Sequence, residues 1–322
     1  MAHIPPADGA SLSEQLRRGR GWRISSGALL VVAGAALFGT IGTARLLGPE
    51  APAISVGVVR LLLAAAVLIA LAWTHGRQQL FAAWCLPAVW VAGVSQAAFN
   101  VTFFGAVTRA GVAIGTLVAI GCTPILTGLL ARRFPPGWLA ATSLALAGLV
   151  ALLSGGFDHG VTVSGLLFAL GASASYSGYI LSSAALARSS LEMDSKLAAI
   201  FTVAALCLTP GLLLYPLDWA ATGGGIAMAA YLGVPATVLA YHLFNRGLRL
   251  IEPGPAATLA LTEPLVAALL GVVVLGERLT PLSWLGAATV LAALVVMIVV
   301  SRTPPQVVDN QAGEHSTSSD SV

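Results

Sequence analysis

Charge is the scarcest property of this chain. Of its 322 residues only 9% are Asp, Glu, Lys or Arg, against 57% that are hydrophobic, and the mean hydropathy is +0.89. A soluble domain carries about 25% charged residues, so 16 basic and 13 acidic side chains are too few to cover a water-exposed surface of this size. Lysine is nearly missing. Lys196 stands alone, preceded by Leu191-Glu192-Met193-Asp194-Ser195, so no glycine-rich loop ends in the lysine that would cradle a nucleotide phosphate. Cysteine is equally sparse: Cys85, Cys122 and Cys207 lie far apart in apolar runs, without CxxC spacing, and read as packing residues rather than a disulfide or metal framework. The five histidines are scattered, with His3 and His315 in the tails, and neither HExxH, a nucleophile with its base, nor paired carboxylates occur. These absences count against an intramembrane hydrolase or lipid-modifying transferase, and neither a cofactor nor a metal is expected.

What the chain has is long apolar runs. A helix needs about 20 mostly apolar residues to cross ~30 Å of hydrocarbon, and ten such runs can be drawn, at roughly 25–46, 53–73, 84–106, 111–131, 137–154, 162–185, 197–215, 226–245, 254–275 and 282–301. Gly48-Pro49, Pro135-Pro136-Gly137, Gly155-Gly156 and Gly223-Gly224-Gly225 punctuate the connections. Residues 1–24 form a basic tail and 302–322 a polar one with almost nothing to bury, so both read as disordered. The first run is too long for a signal peptide, although Arg17, Arg18, Arg20 and Arg23 precede it. With the N-terminus cytoplasmic, inside segments hold those four, Arg77, Arg132, Arg133, Arg188, Lys196, Arg246, Arg249 and Arg302, whereas outside segments hold only Arg45, Arg109 and Arg278. This positive-inside bias places both termini in the cytoplasm, and it explains a net charge of +3 and a pI near 9.0 without any nucleic acid. Trp22, Trp73, Trp84, Trp138, Trp219 and Trp284 fall near span ends, as interfacial anchors do.

The two halves repeat. Ser26-Gly27-Ala28-Leu29 returns as Ser164-Gly165-Leu166-Leu167, Phe104-Gly105-Ala106-Val107 as Arg246-Gly247-Leu248-Arg249, Thr123-Pro124-Ile125 as Glu263-Pro264-Leu265, and Trp138-Leu139 as Trp284-Leu285. Five spans per half is an odd number, so the copies cross in opposite directions, the arrangement by which secondary transporters open one central site to either side. The expected fold is therefore an all-α polytopic membrane protein of ten transmembrane helices, an inverted repeat of halves 25–154 and 162–301 joined by 155–161. A channel would not need matched prolines in inverted halves, which leaves it and the membrane enzyme as rival readings.

Three segments resemble the EamA family of the drug/metabolite transporter superfamily. They are Val59-Arg60-Leu61-Leu62-Leu63-Ala64-Ala65, Ala240-Tyr241-His242-Leu243-Phe244-Asn245-Arg246-Gly247-Leu248, and the stretch from Thr262-Glu263-Pro264-Leu265 to Leu275-Gly276-Glu277-Arg278-Leu279. The resemblance covers roughly residues 25 to 301. It implies ten helices in a five-plus-five inverted repeat in the inner membrane, and movement of small metabolites. The first half departs from the pattern, carrying Ala131-Arg132-Arg133-Phe134 where the second has Gly276-Glu277-Arg278, so a role for that glutamate transfers only to Glu277.

A charge at membrane depth costs several kcal/mol unless paired or hydrated, so the candidate residues are the polar ones inside spans. Arg60 and Glu263 both fall in the middle third of the core. Either they form a permanent pair that fixes helix register, or Glu263 serves a substrate or proton while Arg60 holds a carboxylate. Glu263 shares its helix face with Ala256, Ala260, Ala267 and Gly271. His242 is either an interfacial residue or a proton relay, and Asn100 and Asn245 are hydrogen-bonding glue between helices or site residues. Phe38, Phe99, Phe103, Tyr176, Tyr179, Tyr231 and Tyr241 pack the helices or line a cavity. Pro124 and Pro264 occupy equivalent places and expose carbonyls near Ile120 and Ala260, which suits a gating kink. Glu277 and Arg278 brace neighbouring helix ends, and Gly111 with Gly115 marks a close helix contact. One membrane arginine without a membrane lysine argues against a multiply anionic substrate. The function expected is a secondary transporter of a neutral or zwitterionic metabolite, amino-acid-like or drug-like, most simply a proton-coupled exporter acting as a monomer or homodimer in the bilayer.

Overall fold

The computed structural model describes residues 25–74, 76–156 and 162–301. The two tails, with Arg17, Arg18, Arg20, Trp22, Arg23 and Arg302, lie outside the described residues, as does most of the 155–161 connection. Regular structure among the described residues is entirely helical: α1 (Ser26–Leu47), α2 (Ala53–Thr74), α3 (Arg77–Trp84), α4 (Pro87–Ala131), α5 (Trp138–Leu153), α6 (Val163–Leu186), α7 (Met193–Leu208), α8 (Gly223–Gly233), α9 (Ala240–Leu248), α10 (Pro253–Leu259), α11 (Thr262–Leu275) and α12 (Pro281–Val300). Side chains cap several starts. Ser25 accepts from the Ala28 amide, Thr162 from Gly165, Thr222 from Gly225 and Thr280 from Ser283, each answering an amide that has no partner inside its helix.

Among the described residues, eight segments are long and apolar enough to cross a membrane: Ser26–Leu47, Ala53–Thr74, Pro87–Ala131, Trp138–Gly156, Met193–Leu213, Gly223–Leu248, Pro253–Leu275 and Pro281–Val300. Their outer faces expose leucine, valine and tryptophan, for example Leu29, Trp90, Leu139, Leu206 and Leu285. Hydrocarbon accepts such a surface provided every backbone polar group is satisfied within the helix. The 45 residues of α4 would reach about 68 Å if straight, twice the apolar thickness of a bilayer. Gly111 interrupts it at φ 78°, ψ 162°, a backbone that a side chain disfavours. The chain then folds back, so that a Cβ on Gly115 would sit 3.1 Å from the Val107 amide nitrogen. The expected Gly111–Gly115 helix contact is thus a turn packed on its own chain.

The helices pack in a crossed pattern. α1 lies on α9 and α11, α6 lies on α4, α2 pairs with α7, and α5 pairs with α12. Glycine allows the closest approaches. A Cβ on Gly247 would come 2.6 Å from the Gly27 carbonyl, and one on Gly286 would come 2.2 Å from the Leu152 amide nitrogen, so α1–α9 and α5–α12 meet nearly backbone to backbone.

Several expectations need correcting. The seventh run starts at Met193, not at 197, which carries Asp194 and Lys196 into α7. Lys196 is 3% exposed and donates to the Leu186 carbonyl at 3.1 Å, a cation placed on the C-terminal end of α6, where the helix dipole favours it. Two tryptophans are internal anchors rather than interfacial ones. Trp138 donates to Thr258 at 3.1 Å and Trp219 to Ser55 at 3.0 Å, so each buried indole N–H finds a partner. Trp73 and Trp284 are about half exposed. Cys85 and Cys207 are exposed on the helical surface instead of packed. Glu277 folds over its own helix, its backbone amide donating to the Gly271 carbonyl at 3.0 Å after the left-handed Gly276. The helix that should carry Ala256, Ala260 and Glu263 on one face breaks between Leu259 and Thr262, so only Ala267 of that set joins Glu263 at the cavity described below.

Candidate functional site

A cavity of about 1010 Å³ opens between α1, α2, α4 and α11, its mouth framed by Gly48, Pro49, Glu50, Ala51 and Pro52. Arg45 stands at the mouth, donating to the Ala51 carbonyl at 3.3 Å, with its guanidinium 5.8 Å from the centre of the Phe104 ring. Of the residues singled out in the sequence, Arg60, Asn100, Glu263, Pro264, Phe38, Phe99 and Phe103 line this cavity. Residues as distant in sequence as Phe38 and Glu263 share one wall because Gly39 lets α1 approach the start of α11; a Cβ there would sit 2.6 Å from the Glu263 carbonyl.

The polar side of the cavity is organised by α4. Asn100 donates from Nδ2 to the Gln96 carbonyl at 2.8 Å, which fixes the amide so that its Oδ1 accepts from Arg60 Nη2 at 3.0 Å. Arg60 Nε is buried without a hydrogen-bond partner among the described residues. The anticipated permanent Arg60–Glu263 pair does not form. Among the described residues the two groups make no ion pair, and each faces the same space unpaired.

Tyr176, Tyr179 and Tyr241 do not line the cavity; they seal its inner end. The Phe38 ring at the floor lies 4.6 Å from Tyr241, which contacts Phe201 at 4.7 Å and Tyr179 at 5.3 Å. Tyr176 joins Phe99 at 5.3 Å and Phe244 at 6.5 Å. Asn245 ties the layer together, donating to Tyr179 Oη at 2.7 Å and to the Tyr241 carbonyl at 2.8 Å. Tyr231 lies on the mouth side instead, donating to Thr40 at 2.8 Å.

Beyond the seal, His242 faces two acceptors. Its Nδ1 reaches the Val238 carbonyl at 2.9 Å and its Nε2 meets Asp194 Oδ1, an arrangement satisfied by an imidazolium–carboxylate pair that joins α9 to α7. Asp194 escaped the sequence reading because it precedes the apolar run and looked like loop. A second missed feature is the π-helical segment Val234–Leu239, which contains Pro235. Thr237 answers the disturbed backbone by donating to the Leu232 carbonyl at 2.7 Å. Both prolines are buried; Pro264 lies on the cavity beside the α10–α11 break, whereas Pro124 sits inside α4 and is not among the residues that line the cavity.

Comparison with known proteins agrees with this architecture. Residues 163–299 match the EamA-like transporter family. The chain is 38% identical over 280 residues to the uncharacterized transporter YwfM of Bacillus subtilis (strain 168), covering 85% of this chain and 94% of that one. It is 31% identical over 271 residues to the threonine/homoserine exporter RhtA of Escherichia coli (strain K12), covering 82% and 88%. A protein of known crystal structure superposes with TM-score 0.73 at 23% identity, over 87% of this chain and 98% of that one, which shows a shared fold. The chain belongs to the EamA-like transporter family: it is a multi-pass membrane transporter, not an enzyme.

Proposed function

We propose that this protein is a secondary transporter of the cytoplasmic membrane that exports a small amino-acid-like metabolite by alternating access. The observation that carries this reading is the cavity itself. It reaches from the 48–52 connection at one end to Phe38 and the aromatic layer behind that ring at the other, and Arg60 and Glu263, which form no ion pair with each other among the described residues, both line it. A cavity blocked on one side is half of an alternating-access cycle, and a channel would have no need of the block. The Lys/Arg distribution places the mouth outside and both termini in the cytoplasm, so this conformation is open to the exterior.

An inverted repeat of ten spanning helices is part of the same reading. Counting α4 as two spans at Gly111 and α6 as a further one brings the eight apolar segments to ten. The packing supports inversion. α1 of the first half packs on α9 and α11 of the second, α6 of the second packs on α4 of the first, and α2–α7 and α5–α12 pair like with like. The aromatic contacts follow the same relation: Phe38 and Tyr176 lie 138 residues apart, Phe99 and Tyr241 lie 142 apart, and the contacts run Phe38–Tyr241 and Tyr176–Phe99.

Glu263 is the coupling residue in this scheme. A mid-membrane carboxylate that faces the cavity without a permanent partner can take up a proton on one side and release it on the other. The test is a metabolite-wide counterflow screen in liposomes holding the purified protein, run with and without a pH gradient. Exchange of an amino-acid-like compound that the gradient accelerates is the expected result; a pH gradient without effect removes the proton, and no exchange of any amino-acid-like compound removes the substrate class.

A further inference from the structure

We infer that the substrate is a zwitterionic amino acid with a bulky apolar side chain, its carboxylate held by Arg60 and its ammonium by Glu263. The inference rests on reading the cavity as the transport site and adds which substrate fills it and which residue holds each end.

Arg60 and Glu263 are opposite charges at one cavity that do not neutralise each other among the described residues. Charges in a low-dielectric site are stabilised by whatever partner the site admits. A zwitterion satisfies both at once. An amine leaves Arg60 without a counter-ion, and a carboxylic acid leaves Glu263 without one. The arginine is also presented for a carboxylate. Asn100 occupies Nη2 and is itself fixed by the Gln96 carbonyl, so the guanidinium is held in place at the cavity wall, where a planar anion can meet it.

The rest of the wall selects the side chain. Phe38, Phe99, Phe103, Phe104, Ile41 and Ile120 face the cavity, with Phe99 and Phe103 stacked at 5.4 Å and 16°. Thr116 is the one hydroxyl-bearing side chain among the described residues that line it. A small hydroxyl-bearing side chain would be desolvated against rings that offer it no hydrogen bond. The chemistry of this wall thus differs from what the name of the threonine/homoserine exporter RhtA suggests.

The test is calorimetric titration of the full-length protein in detergent. The probes are L-phenylalanine, L-leucine, L-threonine, L-homoserine, phenethylamine, L-phenylalaninamide and N-acetyl-L-phenylalanine. Phenylalanine and leucine should bind about tenfold or more tighter than threonine and homoserine, from the apolar surface they bury. Loss of either charge from phenylalanine should cost roughly 10-fold to 100-fold, the range for a hydrogen bond to a charged group. Arg60→Lys, which keeps the charge but loses the fork, should weaken phenylalanine and leave phenethylamine unchanged. Glu263→Gln should erase the difference between phenylalanine and its N-acetyl derivative. The ligand series on the unaltered protein needs no variant to fold. Threonine or homoserine binding as tightly as phenylalanine overturns the side-chain assignment while leaving the transport site standing. Equal binding of the amine, the amide and the amino acid overturns the assignment of the two ends. Binding of no amino acid at all overturns the transport-site reading as well.

Discussion

Tyr179→Phe removes a single oxygen from the inner seal. The lost contact is the 2.7 Å hydrogen bond from Asn245, which keeps its 2.8 Å bond to the Tyr241 carbonyl. Both side chains are buried, Tyr179 fully and Asn245 at 4% exposure, so water does not compensate for the loss. A buried hydrogen bond contributes about 0.5–1.5 kcal/mol net in water-soluble proteins, and about 0.6 on average between membrane helices. The state with the seal closed should lose that amount relative to the state with the seal open, which multiplies the open population by roughly 3-fold to 10-fold. Ser183 is a suitable reporter: it is 3% exposed and lines the small space beneath the seal with Lys196 and Asn245. In a background where Cys85, Cys122 and Cys207 are replaced by alanine, Ser183→Cys is labelled from the cytoplasmic face by a membrane-impermeant thiol reagent. The labelling rate follows the minor open population and should rise by the same roughly 3-fold to 10-fold factor when Tyr179→Phe is added. Tyr231→Phe, which removes an equivalent hydrogen bond to Thr40 at the mouth, should not raise it. An unchanged or slower rate in the Tyr179 variant would refute the assignment of this layer as the inner gate.

Glu263→Gln keeps the shape of the carboxyl but cannot titrate, so gradient-driven transport should fall to background while exchange without a gradient persists; full gradient-driven transport would reduce Glu263 to a binding group. Asn100→Ala frees Arg60 Nη2 from the Oδ1 that holds it at 3.0 Å, and substrate KM should rise roughly tenfold with little change in protein melting temperature, the cost of one hydrogen bond to a charged group. Gly286→Ala drives a methyl group to 2.2 Å from the Leu152 amide nitrogen, where no rotamer can relieve it. Overpacking of this kind costs about 1–3 kcal/mol or more and should lower the melting temperature in detergent, whereas Gly223→Ala, with nothing near its added methyl, should leave it unchanged. Asp194→Asn breaks the ionic link from α7 to His242 and should raise cytoplasmic-side labelling of Ser183→Cys, as Tyr179→Phe does.

The helices were legible because hydrocarbon imposes a coarse rule, about 20 apolar residues per crossing, that composition reveals directly. Their interruptions were less so. Gly111 showed itself as half of a GxxxG pattern, and only the excess length of an unbroken 45-residue helix reveals it as a turn. Arg60 and Glu263 stood out because charge is rare at membrane depth, and both reach the cavity. Their separation was hidden, because it depends on Asn100 taking the arginine first, a contact across 40 residues of sequence. Whether the tyrosines pack or line a cavity stayed open in the sequence for a related reason: periodicity tells which helix face a ring occupies but not at what depth its neighbours close over it. Asp194 and Lys196 were read as loop charges because hydropathy treats a lysine as a boundary. Here the buried ammonium caps the C-terminal end of α6 and stays inside the protein.

Access to a single cavity position from both faces of the membrane tests alternating access most directly. Thr116 lines the cavity on the mouth side of the seal, and Thr116→Cys in the cysteine-free background gives one reactive group there. Impermeant thiol reagents should modify it quickly from the mouth side and slowly from the opposite side, with Tyr179→Phe raising the slow rate and lowering the fast one. Modification from the mouth alone, unaffected by the seal variant, would contradict a site that opens alternately to the two faces.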